Sequence, residues 1–296
     1  MPYDEGASPT HEMDPLQPAT EAITAQLVNV EGLGKRTRLS WMPSLLFIPL
    51  LFPMLLLGPW AAVFSYFSKG FSKFWAGIMV HRLAMPVLHM MAKKKRIEMF
   101  KADCKGRLLD VGCGILPHYA LYEQIPAITE VVAMEPNPHC HGALQSKAKR
   151  AVAPKITISS RTLEEEPDNS YDTIILSFVM CEIPGYEKIP AQVLRVLKPG
   201  GCCLFFEHIG AEKGSLMRRF QNTLQPLWYL LTDGCHCNRE QHHCIEGLPW
   251  AELRGDKMAL PMLARCTMLP HIPRIYAGVA KKAELEAPQC VEVASQ

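Results

Sequence analysis

"LLDVGCGILPHYA", Leu108–Ala120, runs from an apolar stretch into two closely spaced glycines and then a proline-led segment. Arg107–Val111 has the apolar run of a short buried strand, and Pro117–Gln124 the pattern of a helix with proline in its first turn. Between them, Gly112 and Gly114 let the backbone approach a ligand closely. Downstream, Glu130–Met134 predicts a second strand ending at Glu135, and His139–Arg150 a helix. Further strands are expected at Ile156–Ser159, Tyr171–Phe178 and Cys202–Glu207, with a helix at Glu187–Leu197 before "KPGG". Strands alternating with helices imply an α/β fold with a parallel, doubly wound sheet.

Such sheets bind ligands beyond the carboxyl ends of their strands. Glu135 ends the second strand, where a carboxylate accepts hydrogen bonds from ribose hydroxyls. That arrangement serves a dinucleotide or S-adenosylmethionine. A dinucleotide loop needs a third glycine for helix–strand packing, and Pro117 holds that place. The pattern therefore favours S-adenosylmethionine, which has no pyrophosphate to cradle.

Four segments in order resemble a class I S-adenosylmethionine-dependent methyltransferase: "LLDVGCG", "VVAMEPNP", "EEPDNSYDTIILSFVMCEI" and "QVLRVLKPGGCCLFFEH". The tail segments "FFEHIGAEKGS", "LQPLWYLLTDGCHCNRE" and "PHIPRIYAGVAKK" narrow the resemblance to the methyltransferase-like protein 7 group, membrane-attached enzymes that methylate small thiols. The resemblance implies a seven-stranded Rossmann-like methyltransferase sheet. It implies cofactor contacts from Asp110, Gly112, Cys113, Gly114, Glu135, Pro136, Arg161, Thr162, Ser177 and Phe178. Three departures stand out: Leu116 occupies a position that is glycine in the family, Glu135 replaces the usual aspartate, and Ser159, Ser160 and Arg161 stand where an acidic residue often meets the adenine.

Methyl transfer from a sulfonium is a direct displacement, so alignment of the reacting atoms is the main requirement. His208, ending the fifth strand, is of a type suited to take an acceptor's proton, or else packs on a neighbouring helix. Asp233 closes the pocket or caps a turn. Trp228 and Tyr229 line an acceptor pocket or pack in the core, and Val179 follows the fourth strand where the methyl should sit. The run "CHCNREQHHC", Cys235–Cys244, is dense in soft ligands, but its spacing fits no common zinc pattern, so no metal is expected.

The rest of the chain sets the context. Its 31 lysines and arginines nearly balance 29 acidic residues, which gives no sign of nucleic-acid binding. Its 11 cysteines, many inside apparent strands and helices, read as reduced thiols. Residues 1–38 form an acidic, proline-bearing tail with the composition of disorder. Residues 39–92 open with an uncharged run to Ser68, broken by Pro43, Pro49, Pro53 and Pro59. That run fits a kinked span or re-entrant hairpin followed by an interfacial helix, flanked by "KRTR" and "KKKR" on the cytosolic side. Residues 93–282 form the methyltransferase domain and 283–296 a flexible tail. The resemblance implies residence at the endoplasmic reticulum or lipid droplets, with the domain facing the cytosol. The expected partners are a small apolar thiol and a bilayer or droplet surface. Lipid, quinone and arsenite acceptors are the alternatives, together with a degenerate membrane-bound adaptor that has lost catalysis.

Overall fold

The computed structural model describes residues 48–76, 93–232, 234–259 and 274–284. The chain divides into two units, Met1–Gly34 and Lys35–Gln296. The first, and with it most of the acidic tail, lies outside the described residues, as do residues 35–47, Asp233 and the tail from residue 285.

Helices are α1 (Ile48–Phe67), α2 (Lys69–Ala76), α3 (Lys93–Asp103), α4 (Tyr119–Tyr122), α5 (Pro138–Arg150), α6 (Ile189–Val196), α7 (Leu216–Leu231) and α8 (Gln241–Glu246). Strands are β1 (Gly106–Val111), β2 (Ile128–Met134), β3 (Lys155–Ser159), β4 (Tyr171–Ser177), β5 (Leu197–Ile209), β6 (Glu252–Ala259) and β7 (Arg274–Lys281). They form one seven-stranded sheet in the order β3-β2-β1-β4-β5-β7-β6.

β1 to β5 pair in parallel, but β7 runs antiparallel to both β5 and β6. The parallel arrangement expected from the strand–helix alternation holds for β1 to β5, and the two further strands make the sheet mixed. The strand–helix alternation on which that expectation rested stops after β5, where α7 and α8 both precede β6. An antiparallel insertion needs no crossover helix of its own.

The core has two faces because successive strand residues point opposite ways. Leu108, Val131, Ile175, Leu204 and Phe206 pack on one face, and Leu109, Val132, Ile174, Leu176 and Phe205 on the other. Burying each such side chain contributes about 1.5–3 kcal/mol. That rigidity fixes where the strand ends stand.

Local signals set the helix boundaries. α5 begins after Asn137, whose side chain accepts the His139 N–H, with Pro138 in the first turn. The segment expected as one helix from Pro117 shortens to α4, since Leu116 takes a positive φ of 56° and turns the chain first.

At the N-terminal side, α1 and α2 pack on α7 through Ala61, Ala62, Phe71, Trp75 and Leu231. The Ser72 hydroxyl donates to the Leu230 carbonyl at 3.2 Å. The outer surface of α1 is largely apolar, with Trp60 67% and Phe67 80% exposed, while α2 adds exposed Lys69 and Lys73 beside Phe74. Among the described residues, no helix is long and apolar enough to cross a membrane. The "KKKR" cluster begins α3, and its last two residues are engaged by the domain. Lys95 pairs with Asp256 at 2.7 Å, and Arg96 is buried over the Phe206 ring. Burial pulls the Arg96 guanidinium down to about 9. Arg96 is therefore not a membrane-flanking charge.

Candidate active site

The ends of β1, β2 and β4 meet at the glycine loop. Gly112 and Gly114 adopt φ of 59° and 56°, the left-handed region that glycine enters without strain. A Cβ on Gly112 would stand 2.3 Å from Val179 Cγ2, so glycine here lets the first loop close onto the loop after β4. Leu116 follows the same left-handed path as a glycine would and is fully buried beside Cys113 and Tyr122 in the core. The residue that looked like a defect in a cofactor loop is a core plug.

Glu135 is held at the end of β2. Its Oε2 accepts the Gly114 N–H and its Oε1 the Asn137 N–H, both at 2.7 Å. Burial pushes its carboxyl above the ordinary range, against the pull of these two donors. A carboxylate has about four acceptor sites, so two remain for ribose hydroxyls. His141 Nε2 stands 2.7 Å from the Glu135 carbonyl, and Pro136 is exposed beside it.

Asp110 faces inward. The Tyr122 hydroxyl donates to its Oδ2 at 2.5 Å, tying α4 to β1. Burial raises its carboxyl to about 7. Cys113 is likewise buried. Past β3, Arg161 and Thr162 are exposed, and Glu165 Oε2 accepts the Thr162 N–H at 2.6 Å in a capping box. Ser177 Oγ, at the end of β4, is buried and has no hydrogen-bond partner among the described residues.

The fourth and fifth strand ends form the other half of the site. Phe178 has φ 57° and stacks on the His208 ring, with centroids 6.4 Å apart. Glu207, fully buried, accepts the Val179 N–H at 3.0 Å and the Met180 N–H at 3.3 Å. Burial raises Glu207 to about 7. It thereby fixes the loop that passes Gly112. Arg239 reinforces that loop from outside, donating to the Met180 and Ile183 carbonyls at 2.8 and 2.9 Å.

His208 is buried, with Nε2 3.2 Å from Cys235 Sγ. Gln241 Nε2 donates to the His208 carbonyl at 2.5 Å. Cys181, Cys235 and His208 bring their ligand atoms within 4.8 Å of one another, all buried. A hydrogen bond from Cys181, with help from His208 and Trp228, pulls the Cys235 thiol well below its ordinary range despite burial. Burial opposes charge on His208, but the Cys235 sulfur outweighs it and raises the imidazole. Trp228, on α7, is half-buried against this group, while Tyr229 is exposed and meets His236 edge-on at 5.3 Å. Asp233 lies outside the described residues.

The glycine turn, the acid at the next strand end and the buried Ser177 hydroxyl suit S-adenosylmethionine. They offer a close approach of the backbone and a carboxylate placed to accept from ribose hydroxyls. The profile of the methyltransferase domain family matches residues 81–248. The chain belongs to that family. This methyltransferase is 30% identical over 211 residues to the thiol S-methyltransferase TMT1A of Homo sapiens, covering 68% of this chain and 84% of that protein. It is 29% identical over 201 residues to the thiol S-methyltransferase TMT1B of Rattus norvegicus, covering 65% and 80%. Among solved structures, the fold is similar to a Haloferax volcanii methyltransferase in complex with the Trm112 activator. The TM-score is 0.54 at 13% identity, covering 72% of this chain and 98% of that one. The chain is an S-adenosylmethionine-dependent methyltransferase of the class I fold.

Sequence reasoning missed Glu207, Cys181 and Tyr122. A lone carboxylate inside "CCLFFEHIG" was the available signal for Glu207, since an acid in so apolar a strand must have buried donors. Nothing in the spacing announces Cys181, which joins Cys235 across 54 residues of chain (235 − 181).

Proposed function

We propose that this methyltransferase transfers the methyl group of S-adenosylmethionine to the sulfur of a small, apolar thiol that partitions into membranes. The likeness to thiol S-methyltransferases, 30% identity over 211 residues, carries the reading. Bound at the glycine turn, S-adenosylmethionine supplies an electrophilic methyl group. Gly112 and Gly114 would shape its seat, and Glu135 would hold the ribose. Ser177, Phe178 and Val179 border the space where the acceptor sulfur must align, and Trp228 gives it an apolar wall. Arg161 and Thr162 stand where the adenine would reach past β3. A thiol is a few per cent thiolate at neutral pH, so alignment by these residues does most of what the reaction requires.

The same reading places the chain at a membrane surface. The exposed aromatic side chains of α1 and α2, Trp60, Phe64, Phe67 and Phe74, set beside Lys69 and Lys73, support interfacial attachment. The endoplasmic reticulum and lipid droplets, with the domain on the cytosolic side, are the locations this reading assigns.

The test is incubation of the full chain with methyl-labelled cofactor and an alkyl thiol, alcohol, amine and hydroquinone of matched length. Label on sulfur alone supports the reading; label on the hydroquinone or amine instead removes it.

A further inference from the structure

The Cys181–His208–Cys235 group has a geometry that thiol alignment alone does not call for. Its three side chains come from three separate places: the loop after β4, the end of β5 and the segment after α7. Each is buried, with Cys181 3%, His208 3% and Cys235 9% exposed. The backbone around them is pinned. The His236 N–H donates to the Cys181 carbonyl at 2.9 Å, Gln225 Nε2 to the Cys235 carbonyl at 3.1 Å, and Gln241 to His208. Neighbouring Cys237 takes no part, since its Sγ turns to Gln225 Oε1 at 3.3 Å.

Resting on the thiol reading above, we propose that Cys181, His208 and Cys235 bind a zinc ion whose fourth position takes the acceptor sulfur. Two sulfurs and one imidazole are a borderline-soft donor set that suits zinc, and three protein ligands with one open position is the pattern of catalytic zinc. Donors around a tetrahedral zinc stand roughly 3.5–4 Å apart, given metal–ligand bonds of about 2.0–2.3 Å. The present set already lies within 4.8 Å, so small side-chain rotations complete the site. Its location fits the task. His208 stacks on Phe178, whose neighbour Val179 touches the glycine loop.

The chemistry balances. On binding, the acceptor thiol loses its proton to solvent and forms a sulfur–zinc bond, since a coordinated thiol is deprotonated outright. The acceptor sulfur then forms a bond to the methyl carbon as that carbon's bond to the sulfonium breaks. The released electron pair stays on the leaving sulfur, which becomes a neutral thioether, and the methylated product lets go of the metal. One proton is released per turnover, and no oxidant or reductant is needed.

The test begins with metal content of the full chain, purified in detergent without chelators. About one zinc per chain is expected, as for a three-ligand site. Exchange for cobalt(II) should give a thiolate charge-transfer band, and adding hexanethiol without S-adenosylmethionine should alter the cobalt d–d spectrum. Cys181→Ser and Cys235→Ser should each lose the band, whereas Cys237→Ser should keep it, with S-adenosylhomocysteine binding confirming that each variant folds. Zinc-free protein with no cobalt band overturns the site, and so does a band that survives in both Cys181→Ser and Cys235→Ser. A cobalt spectrum indifferent to hexanethiol overturns the open position. Thiol methylation by metal-stripped protein would leave the thiol reading standing and sink this inference. A thiol-sensitive cobalt site with no transfer to any thiol would uphold the site and sink the reading.

Discussion

Glu135→Ala separates two duties of one carboxylate. In the free protein, Glu135 accepts two backbone N–H groups at 2.7 Å, one from Gly114 in the loop and one from Asn137 before α5. Hydrogen bonds to a charged acceptor contribute about 1.5–3 kcal/mol each. The Gly114 N–H is left buried without its acceptor and the Asn137 N–H only partly buried, so the free variant should lose about 3–6 kcal/mol of stability. Cofactor binding should lose a further 2–4 kcal/mol, roughly 30- to 1,000-fold in affinity, because the ribose hydroxyls lose their acceptor. Glu135→Gln keeps one acceptor oxygen and should fall about tenfold. Thermal melts of the free protein and titration calorimetry with S-adenosylhomocysteine read the two duties separately. A variant with a lowered melting temperature but unchanged affinity would show that Glu135 only latches the loop, and would refute its role at the ribose.

Three further outcomes follow from the same geometry. Gly112→Ala places a Cβ 2.3 Å from Val179 Cγ2 at a φ of 59°; the left-handed backbone costs an L-residue about 1–2 kcal/mol. The variant should melt lower and bind S-adenosylhomocysteine at least tenfold more weakly, with partial recovery in Gly112→Ala/Val179→Ala; no recovery would place the strain elsewhere. Asp110 titrates near its ordinary 3.8 when unfolded and at about 7 when folded. Between those values the folded chain holds the extra proton, so this group's contribution to stability falls as pH rises from 3.8 to about 7 and stays constant above. Melts of Asp110→Asn across pH 5 to 8 should therefore slope less steeply than wild type, and parallel curves would contradict the raised carboxyl. Replacing Phe64, Phe67 and Phe74 together by serine should reduce flotation with phosphatidylcholine vesicles, and unchanged flotation would remove this face from the membrane.

The parallel half of the sheet was legible because β1, β2 and β4 are short apolar runs bounded by glycine or acid, a pattern with few other readings. The last two strands were not. Glu252–Ala259 carries Glu252, Arg254, Asp256 and Lys257, charges suited to an edge strand beside only one neighbour. The placement of Gly112, Gly114 and Glu135 was legible for a similar reason, since they lie at strand ends that the pattern locates. Leu116 misled, because a sequence shows that a glycine is missing but not that a leucine can take the same φ with its side chain in the core. The grouping of Cys181, Glu207 and Cys235 escaped because they meet only through tertiary packing.

Methyl transfer to sulfur is the step on which the proposed function turns. The most direct measurement is mass spectrometry of products formed by the full chain from trideuteromethyl-labelled S-adenosylmethionine and an alkyl thiol. The expected product is the trideuteromethyl thioether, formed together with an equal amount of S-adenosylhomocysteine and reduced in Gly112→Ala at subsaturating cofactor. Tight cofactor binding with no labelled thioether, and label appearing instead on an oxygen, nitrogen or carbon acceptor, would contradict it.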